Sequence, residues 1–151
     1  SSFLDKCTLF EAVRANYYML KVDYLLDDMW YLYVGNEAIY LLSNGTISPS
    51  KGLISLDTCE KEAISTLFEH NTDSISLFEA KDIVLRKVIP FTQFVHPSIL
   101  IIGGVLASQE VSSFVYSDFK ALNISEVKFN DSNFAKSIAC FAMSKFFKGR
   151  E

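Results

Sequence analysis

The sequence predicts an α+β fold with a mainly antiparallel sheet, in a single globular domain spanning 1–151. Three observations predict it. Apolar residues recur at helical spacing near the start, in the middle and near the end of the chain. Between these stretches lie short β-rich runs bounded by Gly, Asn and Pro. The links between neighbouring runs read as too short for helical crossovers, which favours antiparallel pairing with helices on one face.

Each element has its own signal. Thr8-Leu9-Phe10-Glu11 matches a capping box, and Phe10, Val13, Tyr17, Leu20 and Tyr24 then line one face of a helix from Leu9 to about Leu26. Met29 to Val34 and Glu37 to Leu42 flank Gly35-Asn36, which predicts a β-hairpin. Asn44-Gly45 marks a second turn, with short strands at Thr46–Ser48 and Leu53–Leu56. Asp57 three residues before Glu60 predicts the start of a second helix, with Ala63, Ile64, Leu67 and Phe68 on its buried side. Ser74–Phe78 and Asp82–Ile89 read as extended, and Pro90 and Pro97 as the fences of a loop carrying Phe91, Phe94 and His96. Ile99–Ile102 is a continuous apolar run, as in a strand buried on both faces, ended by Gly103-Gly104. Val111–Tyr116 and Ile124–Phe129 read as further strands. Asn130 or Asp131 caps a last helix through about Phe147, with Lys145, Lys148 and Arg150 at its cation-favouring end. The alternative from element order is a strongly curved sheet plugged by the C-terminal helix, similar to a pleckstrin-homology barrel with an added N-terminal helix.

Composition narrows the function classes. The chain has 151 residues, 50% of them apolar and 14% aromatic, enough to bury a core without staples. Fourteen basic against eighteen acidic residues, a net charge of −4, argue against a dedicated nucleic-acid binder. Cys7, Cys59 and Cys140 are odd in number and far apart, which predicts reduced thiols and a cytoplasmic protein. Two histidines and unclustered cysteines predict no metal and no cofactor. The opening residues meet charge at Asp5 and Lys6 before any apolar run, so no secretory leader is predicted there, and no apolar run is long enough to span a membrane. Charge is uneven: residues 1–80 hold five basic and twelve acidic side chains, a net of −7, and the rest is net +3.

Catalytic motifs are weak. Gly103-Gly104 lacks the third glycine and the Lys-Ser/Thr of phosphate cradles and reads as a strand end. Cys59 at a helix start is the one thiol placed for activation, but His70 lies at the far end of the same predicted helix and only folding could bring up His96. The carboxylates are more informative. Asp23 and Asp27 are spaced i,i+4 and Asp28 follows, at a helix end whose dipole opposes them. They read as turn caps, as an acidic docking patch, or as a metal or acid site completed from elsewhere.

The function predicted is a non-enzymatic protein–protein interaction domain. Its acidic face binds and blocks a basic partner, as an antitoxin or immunity-type inhibitor covers a toxin or nuclease. The candidate partner-binding residues are Asp23, Asp27, Asp28 and Glu69, with Trp30 and Tyr31 as aromatic anchors beside Tyr18 and Tyr33. Two alternatives stand beside it. One is a pocket for a small apolar ligand, lined by Phe91, Phe94 and Ile99–Ile102. The other is an enzyme with a fold-assembled thiol or carboxylate site.

Overall fold

The computed structural model describes residues 9–24, 28–43, 52–68, 73–93 and 96–131. The chain divides into two compact units, Ser1–Asp27 with Ser132–Glu151, and Asp28–Asp131. In the first, the described element is helix α1, Leu9–Tyr24, with Val13, Tyr17 and Leu20 buried at the predicted spacing and Ala12, Ala15 and Asn16 buried beside them. The strand predicted at Thr46–Ser48 and the C-terminal helix lie outside the described residues.

The second unit holds a five-stranded sheet. Strands β1 (Met29–Val34), β2 (Ala38–Leu42) and β3 (Leu53–Ser55) form an antiparallel meander. The hairpin falls where Gly35-Asn36 predicts it, and the Gly35 amide donates to the Ala38 carbonyl at 3.0 Å. Two helices follow, α2 (Thr58–Phe68) and α3 (Ser74–Thr92). The capping box before α2 is reciprocal: the Asp57 amide donates to Glu60 Oε1 at 2.9 Å, and the Glu60 amide donates to Asp57 Oδ1 at 2.8 Å. Strand β4 (Ile99–Gly104), a 3-10 turn at Val105–Ala107, helix α4 (Gln109–Lys120) and strand β5 (Glu126–Asn130) complete the unit.

The sheet order is β3-β2-β1-β4-β5, with β1, β4 and β5 mutually parallel. The sheet is therefore mixed, which corrects both the mainly antiparallel expectation and the pleckstrin-homology-like barrel. The reason lies in two misread helices. Ser74–Phe78 and Asp82–Ile89, predicted extended, both belong to the 19-residue helix α3, and Val111–Tyr116 is the middle of α4. Both are rich in β-branched residues, yet both keep helical spacing: Leu77, Ala80, Val84, Val88 and Phe91 in α3, and Val111, Val115 and Phe119 in α4. Burial of one complete helical face outweighs the few tenths of a kcal/mol per residue by which β-branching disfavours a helix. Helical links then allow parallel strands, which short links cannot join. Pro90 sits inside the last turn of α3, where it leaves the Arg86 carbonyl without its usual amide donor but does not end the helix, so it does not fence a loop.

The core lies on one face of the sheet. Trp30, Leu32 and Val34 of β1, Ile39 and Leu41 of β2, and Leu100 and Ile102 of β4 pack with Ile64, Val84, Val88, Val115 and Phe119 of the three helices. The other face is buried as well, with Met29, Tyr31, Ile99 and Ile101 at 1% exposure or less. Burial on both faces explains why β4 is an unbroken apolar run.

Candidate functional site

The acidic residues predicted to meet a partner are placed unevenly. The side chains of Asp23, Asp27 and Glu69 lie outside the described residues. Asp28 is exposed but engaged: its Oδ2 accepts from the Ser98 amide at 3.0 Å and from Ser98 Oγ at 2.8 Å. Its carbonyl also accepts from the Ser98 and Ile99 amides. Asp28 thus ties the entry of β1 to the entry of β4 across the sheet, a long-range tether distinct from the local turn cap expected of it. Trp30 is 3% exposed and stands in the core between sheet and helices, and Tyr31 is 0% exposed. Neither ring presents a surface on which a partner could anchor, which corrects their assignment as docking residues. The sequence patterns of β1 could not separate exposed aromatics from core ones, because its strand is buried on both faces.

The alternative sites are also located. Phe91 packs against the core and Leu100 and Ile102 fill it; Phe94 lies outside the described residues. Cys59 carries an exposed free thiol in the first turn of α2, and His96 is exposed at the far end of the α3–β4 link. Among the described residues no three His, Cys, Asp or Glu side chains cluster as metal ligands would.

The carboxyl ends of β1, β4 and β5 lie side by side, with Val34 opposite Gly104 and Gly103 opposite Asn130. The chain runs outward from β1 to β2 on one side and from β4 to β5 on the other. The gap between β1 and β4 is thus the topological switch point, where open α/β sheets commonly hold ligands. The glycines there have a packing explanation. A Cβ on Gly104 would strike the Val34 backbone, with its nitrogen and carbonyl carbon both at 2.9 Å, and a Cβ on Gly103 would strike the Tyr31 ring. The ionisable side chains that β1 and β4 carry are Tyr31 and Tyr33. Tyr33 pairs in register with Tyr40, and burial raises both phenol pKa values above the usual 10, that of Tyr33 further through Tyr40. These hydroxyls stay protonated near neutrality and serve neither as bases nor as nucleophiles there.

A different surface emerges on α3. Its core stripe faces the sheet, and the opposite side carries a second apolar stripe. Ile75 is 80% exposed and Phe78 61%, the two most exposed large apolar side chains of this unit among the described residues. With Ser74, Glu79 and Asp82 they line one side of an open depression of about 600 Å³. Asp73 caps the helix at the end of this depression: its Oδ1 accepts from the Ser76 amide at 2.9 Å. Asp82 pairs with Arg86 at 3.0 Å, both largely exposed, and Ile89, 36% exposed, continues the stripe. Glu79 makes no ion pair among the described residues.

Phe78 is also tied to α4 on its inner side. Lys81 packs its ammonium 5.1 Å from the Phe78 ring centroid and 4.5 Å from that of Phe114, and pairs with Asp118 of α4 at 3.3 Å. A cation held against two rings and a carboxylate fixes α3 against α4 and orients the inner edge of Phe78. The sequence signal for this site was present but masked. Once Asp73 and Ser76 are recognised as a cap and the segment as helical, Ile75, Phe78 and Ile89 fall opposite the core stripe. Read as an extended run, the same residues gave no face at all.

The chain matches no protein-family model, no curated protein and no solved structure. No helix among the described residues is long and apolar enough to cross a membrane.

Proposed function

We propose that this protein is a non-enzymatic interaction domain that captures a basic segment of a partner protein on the outer face of α3. The observation that carries the reading is the pair Ile75 and Phe78, 80% and 61% exposed, set in one depression with Glu79 and Asp82. Two large apolar side chains exposed one turn apart form a contiguous apolar patch, and covering such a patch favours association with a partner. A large aromatic beside a charged rim is the usual composition of a binding hot spot. The rim here is acidic, so the complementary surface is basic, and a net charge of −4 for the chain adds to the attraction. Blocking of the partner, the antitoxin or immunity-type role, is the form this takes when the captured segment carries the partner's activity. An exposed thiol at Cys59 accords with a reducing, cytoplasmic setting.

The test uses a defined probe, an 18-residue fluorescein-labelled amphipathic peptide of Leu and Lys, followed by fluorescence polarisation. Binding is expected to weaken with added salt. Phe78→Ala is expected to weaken it about tenfold or more, the range of hot-spot truncations. A matched peptide with Glu in place of Lys is expected not to bind. Equal affinity of wild type and Phe78→Ala, or of the Lys and Glu peptides, would overturn the proposal.

A further inference from the structure

The outer residues of α3 follow a heptad. Ile75, Phe78, Asp82, Leu85 and Ile89 are spaced 3-4-3-4, the repeat that forms a seam between two helices. Ile75, Phe78 and Ile89 are exposed along it, and Leu85 is half-buried at its edge. The stripe runs about 21 Å, four turns of helix, at 1.5 Å per residue. Four turns of apolar seam match a helix better than an extended strand, because a helix offers no unpaired backbone groups to the seam.

One seam position is charged. Asp82 occupies the middle of the stripe, where a neighbouring helix would take its carboxylate out of water. A lone polar residue at such a position sets register and partner choice at a cost in stability. Its one partner in the described structure is Arg86, through Nε at 3.0 Å, in a pair that is 64% and 54% exposed. That contact uses one lone-pair site of a carboxylate that has about four. Glu79, one turn before it on the same rim, adds a second carboxylate. The two acids against one arginine leave a net negative charge at the centre of the seam.

Resting on the docking reading above, we infer that the occupant is an amphipathic helix with a single Lys or Arg within its apolar seam, placed to meet Asp82 and Glu79 together. The seam cation fixes the register of the bound helix, and the apolar residues on either side cover Ile75 and Phe78 at one end and Ile89 at the other. A helix without that cation buries Asp82 with only Arg86 to satisfy it and is disfavoured.

Two 18-residue helical peptides test this, identical except for Lys or Leu at the central seam position and each carrying flanking lysines. Affinities are measured against wild type and Asp82→Leu by fluorescence polarisation. Wild type is expected to prefer the Lys peptide by about tenfold or more, and Asp82→Leu to reverse the preference. Glu79→Gln is expected to narrow the wild-type preference without reversing it. If both peptides bind wild type equally, or if Asp82→Leu keeps the preference for Lys, the register inference fails while the docking reading stands. If neither peptide binds, both fail. Concentration-dependent dimerisation of the protein alone that Phe78→Ala abolishes identifies a second copy of the chain as the occupant, and also overturns both.

Discussion

Replacing Gly103 by Ala places a methyl group against the ring of Tyr31, 2.9 Å from Cε1 and 3.0 Å from Cζ, and closer still to the phenol oxygen. The backbone of Gly103 lies outside the left-handed region, so the substitution is resisted by contact and not by conformation. Tyr31 is 0% exposed and cannot swing into solvent to make room. Overpacking of this kind costs about 1–3 kcal/mol. Tyr31→Phe removes the nearest obstructing atom while leaving the ring, so the double variant is expected to recover about 1–2 kcal/mol relative to the sum of the single changes. Recovery is partial because the ring carbons remain close. Urea unfolding followed by the fluorescence of Trp30, the single tryptophan of the chain, measures all four members of the cycle. Gly104→Ala supplies the contrast. Its φ of 82° and ψ of −148° are open essentially to glycine alone, and the obstructing atoms belong to the Val34 backbone. It is expected to cost about 3 kcal/mol or more, with no rescue by Tyr31→Phe. Additive single effects in the Gly103 cycle, within about 0.5 kcal/mol, would refute the assignment of Tyr31 as the wall behind that glycine.

Other outcomes follow from the same geometry. Asp28→Ala is expected to lower stability by about 1–2 kcal/mol through loss of its two bonds to Ser98, while leaving peptide binding at α3 unchanged; urea midpoints and polarisation measure the two separately. Tyr17 carries a buried hydroxyl with no hydrogen-bond partner among the described residues, so Tyr17→Phe is expected to be neutral or stabilising by about 1 kcal/mol at pH 7. Burial, with Tyr18 beside it, pushes the Tyr17 pKa up to about 12. A raised pKa means the folded state holds the proton more tightly. Its contribution is complete below pH 10 and is lost as pH rises from there to about 12. The advantage of Tyr17→Phe over wild type is therefore expected to grow between pH 9 and pH 11.5 in thermal melts, and a constant difference across that range would contradict it.

Local physics made much of the fold legible. Reciprocal capping at Asp57 and Glu60, the Gly35-Asn36 hairpin, the periodicity of α1 and the unbroken apolar run of β4 are each fixed by neighbours in sequence, so the residues alone determined them. Asp28 read as a turn cap, a docking acid or a site carboxylate, whereas its partner is Ser98, seventy residues away, a contact no local pattern encodes. What the sequence did not determine was the direction of the sheet. Val, Ile and Phe satisfy a strand and a buried helix face equally well over six residues. The choice for α3 and α4 was made by a core that rewards a whole buried stripe, and parallel pairing of β1, β4 and β5 followed from it. The candidate site has the same origin: Ile75, Phe78, Glu79 and Asp82 share a surface only because the segment is helical and its other face is taken by the core. Burial is a property of the assembled chain, which is why Trp30 and Tyr31 read as anchors in the sequence and turn out to be interior.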